Sequence, residues 1–411
     1  MAHSERLRYA WVRMRDEGFA WTVAQLIRRS LPLPVWLLLL PVTAALHLAG
    51  FRRLTVLTER VGHFAGEIDC FLKLQMLGRL PRRRYFVTAP PGRVSNRSLA
   101  DYWSGRLPLV RNRAAGALLS SMSQFGLMRH DVSDYILTVR GAAAYYGVNA
   151  DWGDRPALLG LTAAHRARGQ AQLAGLGLPA DAWFVCVHVR EGGYSRHDQK
   201  VHGFRDAHVD AVLPAMRAIV ERGGWCVRMG DPTTTPLAAM PGVIDYAHHP
   251  LRSPEMDVFL CASCRFFLGS SSGLFVLSSI FGVPCALANM VPVAAMPYAR
   301  ADLSIPKLLW SESAGRHLSL GEVLSSPLAN YRMGRMFVDA GARLVDNTPE
   351  EIRDLALEML DRVSGGRIHD APPDPLQAAI GRQLQPWHYC YRTESRVAAS
   401  FLRRHRDLLG V

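Results

Sequence analysis

Lysine is almost missing from this chain. Of its 48 basic residues only Lys73, Lys200 and Lys307 are lysines, so arginine carries nearly all of the positive charge. Against 35 acidic residues this leaves a formal net charge of +13. A surface of guanidinium forks suits nucleic acid, anionic lipid or a phosphorylated substrate, and genomic composition accounts for the bias equally well. Signature motifs are also missing. Without G-x-x-x-x-G-K-[ST] the chain is not read as a P-loop ATPase or kinase, and the lack of G-x-G-x-x-G argues against a nicotinamide or flavin site. Neither zinc-finger spacing nor an RNA-recognition signature is present, so nucleic acid is not the expected partner. Cysteine is sparse and odd in number: the seven residues at 70, 186, 226, 261, 264, 285 and 390 mostly sit in apolar runs such as FVCVHV and WCVRMG. That is core usage, not a disulfide framework. Cys261 and Cys264 form a C-x-x-C in the apparent helix MDVFLCASC, without the second half that a zinc site needs. No bound metal is expected.

What is present points to a folded enzyme. The 411 residues are 49% hydrophobic and 20% charged, enough for two domains of roughly 150 to 200 residues each. The first thirty residues are basic and aromatic, with Trp11, Phe19 and Trp21 among arginines. They precede an uncharged stretch at 31–50, LPLPVWLLLLPVTAALHLAG, long enough for a bilayer but interrupted by Pro32, Pro34 and Pro41 and flanked on both sides by Arg28, Arg29, Arg52 and Arg53. Three readings stand open: an anchor lying in the cytoplasmic membrane interface, an element buried in a domain, or a true span. Between Arg79 and Arg113 there are nine arginines and one acid, Asp101, interleaved with Tyr85, Tyr102 and Trp103. This pattern resembles a single-strand groove, yet with no supporting signature it reads as a solvated or membrane-facing surface.

Strand and helix patterns then alternate. LTVLTERVG from Leu54 reads as a strand before a helix at 64–77, and YFVTAP at 85–90 as the next strand. Residues 151–180, with Asp151, Asp154, Pro156 and AGLGLPAD, read as passage between domains. Beyond them come strands at 184–190, 225–230, 243–247, 265–270 and 284–289, separated by helical segments. One such helix places Val209, Val212, Leu213, Met216, Ile219 and Val220 on a single face. Near-continuous apolar strands joined by helical crossovers mean a parallel sheet covered on both faces. A helix from Thr348 has a cap, proline at its first position and acids in its first turn. The proline-rich APPDP at 371–375 precedes a basic helical tail.

Chemistry concentrates where these strands end, because the carboxyl edge of a parallel sheet opens onto the ligand crevice. His188 and Arg190 alternate with Val187 and Val189, so both polar side chains share one side of a strand end. The arginine offers a fork for phosphate and the histidine either tautomer; Glu191, Gly192 and Gly193 follow. Arg190 paired with a carboxylate and His188 satisfied in a core is the alternative. At the next strand end, Arg228, Gly230 and Asp231 lie in MGDP, where Asp231 either holds a sugar hydroxyl or caps the turn. Ser270, Ser271, Ser272 and Gly273 place hydroxyls and backbone N–H groups at a helix start, suited to a diphosphate or to ordinary capping.

The ordered set HVREGGY, WCVRMGDP, MDVFLCASCRFFLGSSSGL, FGVP and NTPEEI resembles a bacterial family of predicted glycosyltransferases of GT-B-like architecture. The resemblance runs from about Leu54 to Val363 and is best between Phe184 and Asn289; the His-x-Arg at 188–190 is also similar to the motif O-fucosyltransferases use on a GDP-sugar. It implies an α/β fold of two Rossmann-like domains with parallel sheets facing a cleft. The organisation expected is an N-terminal basic and apolar extension (1–51), an acceptor domain (52–170), a nucleotide-sugar domain (181–365) and a helical tail (366–411), its last helix returning to the first domain. It implies transfer of a hexose or deoxyhexose from a nucleotide-diphosphate sugar to a glycan, lipid or protein, without a cofactor or metal, in keeping with the absence of a clean D-x-D pair. Arg190 would contact the diphosphate, with His188 and Glu191 beside it, Arg228, Gly230, Asp231 and Ser270 to Gly273 completing the donor site, and Glu350 gripping the nucleotide sugar or serving its helix cap. His63, Glu67 and Asn96 are the acceptor-side candidates. The expected location is the cytoplasm, at the inner membrane face. The rival reading is an inactive membrane-associated scaffold on the same fold.

Overall fold

The computed structural model describes residues 33–137, 143–192, 202–365 and 374–409, with isolated positions before 33. Phe19, Trp21, Arg28 and Arg29, the segment from Gly193 to Gln199 and residues 371–373 of APPDP lie outside the described residues. The chain divides into two compact units, Met1–Val148 and Asn149–Val411.

The first unit contains α1 (Leu33–Leu38), α2 (Leu40–Leu48), β1 (Phe51–Leu54), α3 (Val61–Met76), β2 (Arg84–Thr88), α4 (Arg97–Ser104), β3 (Leu109–Val110), α5 (Arg113–Met122) and β4 (Arg129–His130). Its sheet is parallel, in the order β3-β2-β1-β4. The strand expected at LTVLTERVG lies earlier, ending at Leu54, because its first residues are FRRL and two arginines hide a strand from any apolar pattern. The run beyond Leu54 turns into α3, which is buried along most of its length. Charged groups pair along α3: Lys73 with Asp69 at 2.7 Å, and His63 Nδ1 with Glu67 at 2.8 Å.

The uncharged stretch is two short helices broken at Leu39, with Pro41 opening the second. Trp36 Nε1 donates to Met122 O at 3.1 Å, its ring meets Phe125 edge-on, and Leu39 and Leu46 pack on Phe86, Met122 and Met128. No helix among the described residues is long and apolar enough to cross a membrane, so the span reading is corrected here: proline splits the apolar run before it reaches bilayer length. One face docks on the unit while Leu33, Val35, Leu37, Leu38, Val42 and Leu48 stay exposed.

The helix α6 (Tyr145–Trp152) crosses the boundary into the second unit, which continues with α7 (Ala163–Leu173), β5 (Phe184–His188), α8 (Leu213–Glu221), β6 (Trp225–Arg228), β7 (Val243–Ile244), α9 (Pro254–Ser263), β8 (Phe267–Gly269), α10 (Gly273–Ser279), β9 (Cys285–Met290) and β10 (Leu303–Pro306). After these come β11 (Leu308–Ser311), β12 (Arg316–His317), α11 (Leu320–Leu324), α12 (Gly334–Asp339), β13 (Ala342–Val345), α13 (Pro349–Ser364), α14 (Pro375–Gln383), β14 (Arg396–Val397) and α15 (Ala399–Arg404). Seven parallel strands run β14-β10-β9-β8-β5-β6-β7, and β12-β11-β13 form a small antiparallel sheet. Counted from β5, the large sheet has the 3-2-1-4-5-6 order of dinucleotide-binding sheets with β14 added at one edge. Two α/β units on parallel, Rossmann-like sheets are therefore present.

Two expectations are revised. Residues 151–180 are not merely passage, since α7 lies within them: His165 Nε2 meets Glu255 O at 2.9 Å, and a Cβ built on Gly169 would stand 2.2 Å from the Phe259 ring. Gly169 lets α9 approach. The tail also belongs to the second unit, because β14 extends the seven-stranded sheet and Glu358 of α13 accepts from Ala399 and Ser400 N–H at 2.9 and 3.1 Å. All seven cysteines are free and buried, and burial pushes thiols such as Cys186 and Cys285 well above the ordinary range.

Candidate active site

The order of the second sheet reverses between β5 and β8: from β5 the chain builds outward through β6 and β7, then restarts at β8 on the other side. Such a switch point leaves a crevice at the carboxyl ends of the two strands. Here the chain places His188 at the end of β5, Arg190 just beyond it, and Ser270 to Gly273 after β8. Two hydrogen bonds stitch the ends together, Ser270 N–H donating to His188 O at 3.2 Å and Arg190 N–H to Ser270 Oγ at 3.0 Å. The strands approach closely because β8 ends in Gly269. A Cβ there would lie 2.6 Å from the His188 carbonyl oxygen.

His188 Nδ1 meets Met229 O at 3.1 Å, which makes Nδ1 the donor and leaves Nε2 with its lone pair. Burial, followed in effect by Arg228, lowers its pKa to about 4 although the Met229 carbonyl opposes the fall. The ring is neutral at pH 7, an acceptor toward any hydroxyl at Nε2. Arg190 is partly buried; its Nη1 meets Asp206 and donates to His202 O at 3.0 Å. The expected alternative of a carboxylate partner for Arg190 is thus found in the structure. Its Nε and Nη2 have no further partner among the described residues.

Arg228 is 1% exposed, and its two terminal nitrogens bond Glu191 at 2.7 Å, Asp245 at 3.1 Å and Thr235 O at 2.9 Å. Glu191 also accepts from Thr235 N–H at 3.3 Å. The two are geometric supports under the crevice. Asp231 accepts from Thr233 N–H and Oγ1 at 2.9 and 2.6 Å, the turn-capping arrangement. Gly230 sits in close quarters, since a Cβ would meet Thr234 Oγ1 at 3.2 Å and Ala247 at 3.3 Å. Ser272 precedes α10 without capping it, and its Oγ is buried with no partner among the described residues. Buried hydroxyls are rarely left so.

Three participants carried no signal in sequence. Lys307, just past β10, meets Asp346 at 2.7 Å and donates to Asp206 O at 3.0 Å, so Arg190 and Lys307 grip one loop. Asn289 and Asn347 exchange backbone-to-side-chain bonds at 2.6 and 2.7 Å, which fixes the start of α13 at the carboxyl end of β9. Glu350 is exposed in that first turn, whereas Glu351 closes the capping box with Thr348. The expected acceptor-side residues are not gathered into one site. Asn96 caps α4 by accepting from Leu99 N–H at 2.9 Å; both oxygens of Glu67 are taken, one by His63 and one by Leu57 N–H at 3.1 Å.

No family model and no curated protein matches the chain. Among solved structures it is similar to the E. coli ADP-heptose LPS heptosyltransferase II, with 13% identity over 77% of this chain and 99% of that one and a TM-score of 0.41. It is similar to the glycosyltransferase TibC solved in complex with ADP-D-beta-D-heptose, with 14% identity over 58% of each chain and a TM-score of 0.33. The glycosyl transferase family 9 protein of Veillonella parvula is similar with 12% identity over 54% of this chain and 61% of that one and a TM-score of 0.24.

Proposed function

We propose that the chain is a glycosyltransferase whose second unit binds a nucleotide-diphosphate sugar, hexosyl or deoxyhexosyl, at the β5/β8 switch point. One observation carries this reading: His188 and Arg190 are bonded to Ser270 where the order of the seven-stranded sheet reverses. Arg190 offers unspent donors to the diphosphate, Ser272 an unpaired hydroxyl, and His188 Nε2 a neutral acceptor for a hydroxyl. In the reaction the bond from the anomeric carbon to the diphosphate oxygen breaks with its electron pair leaving on the diphosphate, and the acceptor oxygen bonds to that carbon as its proton passes to a base. Stabilising the departing charge is the dominant contribution at such a site, worth roughly 10² to 10³ in rate per donor. The acceptor, a glycan, lipid or protein, belongs in this reading to the first unit. The exposed apolar face of α1 and α2 would rest on an anionic bilayer, with Arg52 beside it, its Nη1 donating to His47 O of α2 at 2.9 Å.

Calorimetry with UDP-, GDP-, ADP- and dTDP-sugars tests the proposal. One class binds with micromolar affinity and Arg190→Ala loses turnover while keeping its fold; no binding by any sugar nucleotide ends it. A binding module without turnover is the second reading. It is favoured by the commitment of Glu191 to Arg228 and of Asp231 to its own turn, which occupies these two carboxylates. Binding with no release of nucleoside diphosphate would select it.

A further inference from the structure

The first unit holds a cavity of about 680 Å³ outside the carboxyl ends of β1 and β2. Arg53, Arg93 and Arg113 line it, with the hydroxyls of Thr88 and Ser120 and one acid, Glu59. Its volume suits a small ligand of one or two sugar rings.

Arg53 is the unusual member. Its side chain is half-buried at the end of β1, where Nε donates to Thr88 Oγ1 at 3.0 Å and Nη1 to Ser123 Oγ at 3.1 Å. Both partners are neutral, and no carboxylate pairs with it among the described residues. Burial, then the charge of Arg129, lowers its pKa to about 10. A guanidinium withdrawn from water without a counter-charge is costly unless something else supplies one. Arg113, exposed at the start of α5, is also without a partner among the described residues, and its Nη2 stands 3.6 Å from where a Cβ on Gly92 would be. Arg93 has only a loose pair with Glu59 at 3.7 Å, both side chains being about two-thirds exposed; exposed pairs of this kind hold little. The cavity therefore presents three guanidinium groups against one weakly held carboxylate.

We infer that this cavity binds the anionic group, a phosphate or a carboxylate, of the molecule that receives the sugar. The inference rests on the transferase reading only in naming the ligand as acceptor; the anion site stands on the first unit alone. Arg53 gives the charge at the floor and Arg113 and Arg93 close on the anion from the rim, in the forked geometry that guanidinium makes with either group.

The test titrates the whole chain with glucose 6-phosphate, glucuronate and glucose by calorimetry at low and physiological salt. Repeats use Arg113→Gln, whose exposed position leaves the fold intact, and Arg53→Gln. A charged sugar should bind at least tenfold more tightly than glucose, more weakly as salt rises, and Arg113→Gln should weaken it roughly tenfold or more, as loss of a charged hydrogen bond does. The preferred sugar tells phosphate from carboxylate. Equal binding of glucose, no binding of either charged sugar, or unchanged affinity in Arg113→Gln overturns the proposal. So does loss of sugar-nucleotide binding in that variant, which would make the cavity the donor site. Charged-sugar binding without any sugar-nucleotide binding would instead retain the anion site and remove the transferase reading.

Discussion

His188 gives the sharpest test of the β5/β8 crevice, because its environment makes a signed prediction. Its folded pKa is about 4 against an ordinary 6.5, so the unfolded chain takes up the proton first as pH falls. The stability this neutral ring contributes is complete above 6.5 and is lost as pH falls toward 4. Between pH 7.5 and pH 5 the loss is about 2 kcal/mol, an upper figure because the ring keeps some contact with solvent. Asp302 works in the opposite sense. Buried, and holding the N–H groups of Cys285 and Ala299 at 2.8 Å each, it has a pKa raised by burial to about 7. The folded state then binds the proton more tightly, and over the same interval stability rises by about 2.5 kcal/mol. The two effects nearly cancel in the intact protein, so its melting temperature alone is uninformative.

The difference between wild type and His188→Asn isolates the ring, since Asn keeps a donor for Met229 O while removing the titration. Native-state hydrogen exchange of the β5 and β6 amides reads the unfolding free energy of the second unit within the whole chain. The stability advantage of wild type should shrink by about 2 kcal/mol from pH 7.5 to pH 5, and the same comparison with Asp302→Asn should move the other way. An advantage for wild type over His188→Asn that stays constant with pH would mean a solvated, ordinary imidazole. The neutral acceptor assigned to the crevice would then be gone.

Arg228→Met leaves Glu191 and Asp245 without their shared cation and should cost about 3 kcal/mol by urea denaturation; a cost below about 1 would show that the network is not a support. Gly269→Ala drives a Cβ against the His188 carbonyl, so it should cost about 2 kcal/mol and abolish sugar-nucleotide binding. Gly381→Ala in α14, where nothing lies within 4 Å, should instead raise stability by about 0.5–1 kcal/mol. Leu37→Glu with Leu38→Glu should release the chain from sedimenting phosphatidylglycerol vesicles without altering its circular dichroism; unchanged sedimentation would remove α1 from the contact.

Most of the second unit was legible because its strands are apolar on both faces and its helices announce their starts. Ser253 with Pro254, and Thr348 with Pro349 and Glu351, cap α9 and α13 as their residue types dictate. The first unit hid more. β1 is spelled FRRL, and its Arg53 is tolerable in a strand only because Thr88 and Ser123 lie opposite, which no local window shows. α7 was hidden between Asp151, Asp154 and Pro156 and the glycine-rich AGLGLPAD, and its Gly169 packs on a ring ninety residues away. In general, what a residue does alone was readable, and what it does because of a distant partner was not.

The same distinction explains the site. Strand ends are local features, so His188, Arg190 and the serines after β8 could be picked from sequence, and the reversal of strand order is what brings them together. Their charges are set by partners no motif reveals: Asp206 on Arg190, and Glu191 and Asp245 on Arg228. Arginines that look alike in a row of letters thus have opposite meanings. Arg228, with two carboxylates, has its charge answered inside the fold and holds the crevice in shape. Arg53, with none among the described residues, has its charge unanswered, and an anion from outside is the remaining way to answer it.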